Sequence, residues 1–85
     1  MPEEKIGSVF DYFAKIGVAA VRIEEGTLRV GDTIHIKGHT TDFTQQVTSM
    51  QIEKQPVEEA KPGDEVGIKV EDRVRRGDKV YKVIE

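Results

Sequence analysis

Apolar and polar residues alternate along residues 21–38, VRIEEGTLRVGDTIHIKG, and glycine interrupts the alternation at Gly26 and Gly31. A period of two predicts half-buried strands, and glycine between them predicts tight turns. Three short strands in this stretch leave no room for crossover helices, so we expect them to pair antiparallel with their neighbours. Six residues are expected to face inward: Val21, Ile23, Leu28, Val30, Ile34 and Ile36.

The rest of the chain continues the pattern of short strands and turns. Alternating runs predict further strands, over residues 6–13, 18–24, 45–54, 66–70 and 79–84. The second of these places three residues on its outer face: Val18, Ala20 and Arg22. A Gly-Asp pair precedes a strand three times, which indicates a recurring turn, at Gly31-Asp32, Gly63-Asp64 and Gly77-Asp78. Six or seven short strands without a long amphipathic helix predict an all-β fold, a small antiparallel barrel.

Residues 45–61 break the simple alternation. Val47 and Met50 lie on opposite parities of the predicted strand, which predicts a bulge near Thr48-Ser49. Pro56 has no amide hydrogen to donate, so regular pairing is expected to end there. Residues 57–61 are expected to form one helical turn.

Length and composition restrict the class of protein. A chain of 85 residues predicts one domain, which we place at residues 6–85 after a flexible segment at residues 1–5. The chain has no cysteine, no apolar run near the roughly 20 residues that span a bilayer, and no hydrophobic leader, so we expect a cytoplasmic protein without membrane contact. The absence of asparagine and the abundance of charged residues are typical of a thermophilic source.

Catalytic and cofactor motifs are missing from the sequence. His35 and His39 are the only histidines, and neither lies in a pattern of carboxylates that indicates a metal site. No glycine-rich phosphate-binding loop is present, and no set of titratable residues predicts acid–base chemistry. We therefore expect a protein that is not an enzyme and that uses no metal or cofactor.

Two segments allow both a functional and a structural interpretation. The loop at residues 38–44 is either a binding loop or a plain hairpin connection. Basic residues are concentrated at residues 69–82, and they either bind phosphates or only cover the surface. Within that segment, Arg73, Arg75 and Arg76 form a secondary basic patch. The net charge of −3 disfavours non-specific binding of nucleic acids.

Three motifs in this order resemble the second domain of translational GTPases such as elongation factor Tu and initiation factor two: VRIEEGTLRVGDTIHI, VTSMQIEKQPVEEAKPGDEVGIKV and RRGDKVYKV. The resemblance covers about residues 6–83, and translation elongation factor-like proteins and the C-terminal module of collagenase-like peptidases are similar too. It implies a closed six-stranded Greek-key barrel. Because no P-loop is present, hydrolysis of GTP is not expected.

The resemblance also implies a binding surface. In elongation factor Tu, the outer face of this barrel holds the aminoacylated end of tRNA, and that site maps here to Tyr12, Val18, Ala20, Gln51, Lys54 and Lys69. In the family a glutamate stands at the position of Gln51 and an apolar residue at that of Lys69. An aromatic ring, an amide and two lysines suit a single-stranded RNA end.

Two hypotheses about function follow from the sequence. In the first, the domain is a non-catalytic accessory of protein synthesis that binds an RNA end of tRNA or ribosomal RNA. In the second, it is a protein-interaction barrel that docks on a GTPase or another partner without contacting RNA.

Overall fold

The computed structural model describes residues 2–84, which form ten strands and no helix. The strands are β1 (Glu3–Phe13), β2 (Val18–Ile23), β3 (Leu28–Arg29), β4 (Thr33–Lys37), β5 (Asp42–Gln46), β6 (Met50–Ile52), β7 (Gln55–Val57), β8 (Glu59–Ala60), β9 (Glu65–Lys69) and β10 (Lys79–Val83). All of their pairings are antiparallel. The prediction of an all-β antiparallel fold is confirmed, but the strand number differs from the expected six. The part of the chain that the structure describes contains no helix long and apolar enough to cross a membrane.

Eight strands form one sheet in the order β5-β4-β10-β1-β2-β9-β6-β7, and β3 pairs with β8 separately. The resemblance implied a closed barrel, but the edge strands β5 and β7 are not hydrogen-bonded to each other within residues 2–84, so no strand pairing closes the sheet. The sheet nevertheless curls strongly. The buried amide of Gln45 on β5 donates to Lys69 O at 2.9 Å and accepts the Glu71 N–H at 2.7 Å, although β9 lies five strands away in the sheet. The side chain of Gln45 therefore connects β5 to the end of β9, where no backbone pairing joins the two ends of the sheet.

The long strand β1 lies at the centre of the sheet and contains two irregularities. Its register shifts between Lys5 and Gly7 against β10, and between Val9 and Asp11 against β2. Each shift leaves one extra residue, which bends a strand and increases its twist. The strand begins at Glu3, so the flexible segment predicted at residues 1–5 is instead paired from that residue onward, and Met1 lies outside the described residues.

The core lies on the concave side of the sheet and consists of aliphatic side chains. Five of the six residues predicted to face inward in residues 21–38 are fully buried: Val21, Ile23, Leu28, Ile34 and Ile36. The prediction for Val30 is wrong, since this residue is 41% exposed. The strand β3 ends at Arg29, so Val30 is the second residue of a turn and no longer follows the alternation.

The structure corrects the predictions for residues 45–61. The predicted strand over 45–54 is two strands, β5 and β6, because residues 47–49 leave the ladder instead of forming a bulge. Pro56 does not end pairing, since it lies opposite Gln51 in β7 at the edge of the sheet, where a missing amide hydrogen is tolerated. The predicted helical turn at residues 57–61 is replaced by β8.

The recurring Gly-Asp turn is confirmed. In each case the glycine has a positive φ, 101° at Gly31, 94° at Gly63 and 91° at Gly77, which a residue with a side chain rarely adopts. The aspartate that follows accepts a hydrogen bond through Oδ2 from the amide three residues earlier, at 2.9, 2.8 and 2.8 Å respectively. One device therefore closes the turns before β4, β9 and β10.

We expect the third of these turns to matter most for stability, because Asp78 is only 4% exposed. Asp78→Ala leaves the Arg75 N–H without its acceptor and should lower the free energy of unfolding by about 2 kcal/mol, measured by urea denaturation. Asp64→Ala removes the same bond from a more exposed turn and should cost about 1 kcal/mol or less. Equal costs for the two variants would contradict the role of burial.

Candidate functional site

A groove of about 690 Å³ lies on the outer side of the sheet, between the end of β1, the hairpin of β6 and β7, and the start of β9. Three large apolar side chains on its wall are unusually exposed: Phe10 at 39%, Phe13 at 47% and Ile16 at 59%. Its floor includes Gly67, where an added Cβ would lie 3.2 Å from Val18 Cγ1. A side chain at this position would therefore crowd Val18, which also lines the groove.

Four of the six residues of the predicted outer patch lie together in this groove: Val18, Ala20, Gln51 and Lys54. The other two do not line it. Tyr12 packs against the core instead of facing the outer side. Lys69 lies next to the turn after β1, where its ammonium group donates to Ile16 O at 2.5 Å.

The second irregularity of β1 explains why Tyr12 was misplaced and why two phenylalanines were missed. In the register with β2, Val9 lies opposite Val21 and Tyr12 lies opposite Ala19, and all of these residues except Tyr12 are fully buried. The inward spacing is therefore three instead of two, and Phe10 is the extra residue that projects outward. The aromatic residues on both parities of this segment were the available signal for such a bulge.

Charged groups at the groove are mixed and slightly acidic. The Arg22 guanidinium lies 5.6 Å from the ring centroid of Phe10, within the range of a cation–π contact, and it also pairs with Glu65 at 2.5 Å. The remaining ionisable residues of the lining are Glu53, Lys54 and Asp64. Their net charge is negative, so the groove does not form the continuous positive surface that RNA binding requires.

The hairpin at the rim of the groove contains a strained turn. Glu53 and Lys54 have φ angles of 51° and 65°, and they are the only non-glycine residues with positive φ within residues 2–84. Positive φ at both central residues is the geometry of a type I′ turn, which favours Asn-Gly. Each such residue costs of order 1 kcal/mol, and strain of this kind is concentrated at functional sites.

Replacement of this pair by Asn-Gly should stabilise the domain. Glu53→Asn combined with Lys54→Gly relieves the strain and should raise the free energy of unfolding by about 1 kcal/mol in urea denaturation. Lys15→Gly is the control, since Lys15 lies in a turn without positive φ and should gain nothing. A destabilised double variant would contradict the strain argument.

A second cavity of about 250 Å³ lies between the loop after β4 and the loop before β10. It brings together the two segments whose role the sequence left open, since both Thr40 and Thr41 and the arginines Arg73 and Arg75 line it. Arg76 of the predicted basic patch is not part of this lining and pairs with Asp11 at 3.5 Å. The patch is therefore divided between two places.

His35 connects three strands next to this cavity. Its Nδ1 lies 2.7 Å from Glu3 Oε2 on β1, and its Nε2 lies 2.5 Å from Asp42 Oδ1 on β5. Carboxylates only accept hydrogen bonds, so both ring nitrogens donate when the imidazole is protonated. The bond to Asp42 and the bond and charge of Glu3 raise the pKa of His35 above its ordinary value of 6.5, against the effect of burial. The same bond lowers the pKa of Asp42 below 3.8.

These shifts predict how stability depends on pH. The folded pKa of His35 is raised, so its contribution is fully present below pH 6.5 and is lost as the pH rises through the folded pKa. The pKa of Asp42 is lowered, so its contribution is present above pH 3.8 and is lost as the pH falls through the folded value. We expect the unfolding free energy to decline above pH 6.5 in the wild type and to decline less in His35→Gln. An unchanged profile in His35→Gln would contradict the assignment.

The curled antiparallel sheet with a groove on its outer side defines a small all-β domain of the kind that translational GTPases carry. Residues 17–80 match the family described as elongation factor Tu domain 2. The chain belongs to this family, and the resemblance inferred from the sequence motifs is confirmed.

Several curated proteins are similar to this chain. A protein named Collagenase from Porphyromonas gingivalis is 41% identical over 78 residues, which are 91% of this chain and 22% of that protein. An uncharacterized protease of Methanocaldococcus jannaschii is 44% identical over 78 residues, which are 91% of this chain and 19% of that protein. Elongation factor 1-alpha of Thermococcus onnurineus is 34% identical over 79 residues, with 80% of this chain and 18% of that protein covered. The chain thus spans about a fifth of the length of these relatives.

The same fold occurs in a solved structure from Geobacillus thermoleovorans, the C-terminal domain of a protein described as a U32 peptidase. The two structures match with a TM-score of 0.87 at 25% sequence identity, over 95% of this chain and 93% of that one. The domain therefore resembles parts of proteins with two kinds of name, elongation factors and proteases.

Proposed function

We propose that this domain is a non-catalytic binding module whose groove accepts an apolar segment of a partner protein that has basic residues at its flank. The observation that carries the proposal is the exposed cluster of Phe10, Phe13 and Ile16 around one groove. Exposed apolar residues grouped in one patch are typical of interaction sites, and aromatic side chains are frequent among the residues that dominate binding energy.

The charges at the groove support a basic flank on the partner. Glu65 is already paired with Arg22, but Glu53 and Asp64 form no ion pair within residues 2–84. A lysine or arginine of the partner would find these carboxylates at the rim, where charge complementarity favours the correct orientation. Lys54 at the same rim attracts an acidic flank and so weakens the preference for a basic one. We therefore expect the apolar contacts to supply most of the affinity.

The RNA hypothesis finds less support at this surface. Of the two lysines that would contact phosphates, Lys69 is bound to Ile16 O outside the groove lining, and Tyr12 packs against the core instead of offering its ring for stacking. Phe10 and Phe13 are still available for stacking on bases, so RNA is included as a competing outcome of the experiment.

The relatives also support binding rather than catalysis as the role of this domain. Proteins named as proteases and as elongation factors share it, although their names imply different chemistry. A docking function is compatible with both kinds of protein, whereas a common reaction is not. We infer that the partner of this domain is a protein of a translation-factor or peptidase assembly.

The proposal is tested by titrating the labelled protein with three probes and following amide chemical shifts. The probes are a short peptide with leucine and phenylalanine flanked by lysines, the same peptide flanked by glutamates, and a short single-stranded RNA. The lysine-flanked peptide should move the amides of the groove, and Phe13→Ala should weaken its binding about tenfold because a partly buried aromatic contact is lost.

Val30→Ala is the matched control, because Val30 is comparably exposed but does not line the groove. It should bind the lysine-flanked peptide as tightly as the wild type. Preference for the RNA, preference for the glutamate-flanked peptide, or equal losses in Phe13→Ala and Val30→Ala would each overturn the proposal.

A further inference from the structure

The cavity between the loop after β4 and the loop before β10 has no part in the proposed docking. It shares no lining residue with the groove. Its lining includes Thr40 and Thr41 from the first loop and Arg73 and Arg75 from the second. A volume of about 250 Å³ exceeds many times the roughly 30 Å³ share of a water molecule, so a small polyatomic ligand has room there.

The two arginines of this cavity have no ionic partner in the part of the chain that the structure describes. Neither Arg73 nor Arg75 forms an ion pair among residues 2–84, whereas the neighbouring Arg76 pairs with Asp11 at 3.5 Å. Val74 between them is buried, so both side chains extend away from the core. Two guanidinium groups that line one cavity repel each other, whereas an anion bound between them would attract both and offset the repulsion.

The two carboxylates of the lining are already engaged elsewhere. Asp42 Oδ1 lies 2.5 Å from Nε2 of His35 and forms an ion pair with the protonated ring. Asp72 Oδ1 accepts the N–H of Arg73 at 2.8 Å. The N–H that Asp72 accepts belongs to the backbone of Arg73, and neither carboxylate forms an ion pair with Arg73 or Arg75 within residues 2–84. The N–H groups of both guanidinium groups therefore remain available to a ligand, although the two carboxylates share the cavity with them.

The two loops are held against each other by buried groups. Gly38 N donates to Thr41 O at 2.7 Å, which closes the first loop, and Asp78 accepts the Arg75 N–H at 2.8 Å, which closes the second. The loops meet where Gly38 contacts the Asp78 carboxylate, so closely that an added Cβ at Gly38 would lie 1.9 Å from Asp78 Oδ1. The backbone that positions the arginines is therefore fixed before a ligand arrives.

We propose that this cavity binds a phosphate group, with Arg73 and Arg75 as the charged ligands and the threonine hydroxyls as further donors. A planar guanidinium presents paired N–H groups that match the oxygens of a phosphate, and a hydroxyl donates to the remaining oxygens. The same chemistry suits inorganic phosphate and a phosphate monoester, so the experiment contains one arm for each source.

The test follows amide chemical shifts of the intact chain during titration with inorganic phosphate, with glycerol 3-phosphate, and with sodium chloride at matched ionic strength. Saturable shifts at Thr40, Thr41, Arg73 and Arg75 are expected with one or both phosphates and not with chloride. Arg73→Gln and Arg75→Gln should each raise the dissociation constant about tenfold or more, because each removes a charged hydrogen-bond donor.

Arg76→Gln is the matched control, since it removes the same charge from the same loop but not from the cavity. It should leave the dissociation constant within about twofold of the wild type, because salt screens an exposed charge that does not contact the ligand. Shifts that do not saturate with either phosphate, shifts that chloride reproduces, or a loss in Arg76→Gln equal to that in Arg73→Gln would each overturn the proposal.

Discussion

The two register shifts in β1 determine both the curvature of the sheet and the composition of its outer face. A strand of eleven residues that followed a strict alternation would place Phe10 and Tyr12 on the same side. The extra residue at Phe10 lets Val9 and Tyr12 both turn inward, and it leaves the Phe10 ring outside beside Arg22. The same local event thus completes the core and supplies one wall of the groove.

The curvature that begins in β1 is maintained on the far side of the sheet by side chains. Gln45 reaches from β5 to the backbone at Lys69 and Glu71, and its amide oxygen and nitrogen are both used. A buried amide that satisfies two backbone groups replaces ladder bonds, and no buried side-chain nitrogen or oxygen within residues 2–84 lacks a partner. The buried side-chain polar groups of residues 2–84 are therefore all hydrogen-bonded, although β5 and β7 are not paired with each other.

Much of the fold followed from the sequence, because the inward positions of β2, β4 and β9 and the Gly-Asp turns depend on neighbours in the chain. The alternation identified buried residues such as Val21 and Ile34, and the turn chemistry identified Asp78. The failures have a common cause. The bulge at Phe10 changes the parity of the residues that follow it, and the turn at Val30 takes that residue out of the alternation. Aromatic residues on both parities indicate that β1 contains a bulge, but they do not mark the residue where it occurs.

The candidate site could be predicted only to the extent that it lies on regular strands. Val18 and Ala20 face outward in the groove as their alternation with Ala19 and Val21 requires. Phe13 and Ile16 were missed because their exposure depends on the bulge and on the turn that follows β1. Lys69 has the outward phase that was expected, but the carbonyl of Ile16 captures its ammonium group, which alternation cannot reveal.

The aspartates that end the Gly-Asp turns connect the stability of the fold to the geometry of its cavities. Asp64 closes the turn that leads into β9 and also lines the groove, and Asp78 fixes the loop that carries Arg75. A turn closed by its own aspartate is rigid without help from distant contacts, so side chains next to it occupy defined positions. By contrast, Glu53 and Lys54, which also line the groove, form a strained turn where Asn-Gly would be more stable. The backbone conformation alone would favour Asn-Gly over Glu53 and Lys54 at this turn. We infer that these two residues stand there because their side chains contact a partner.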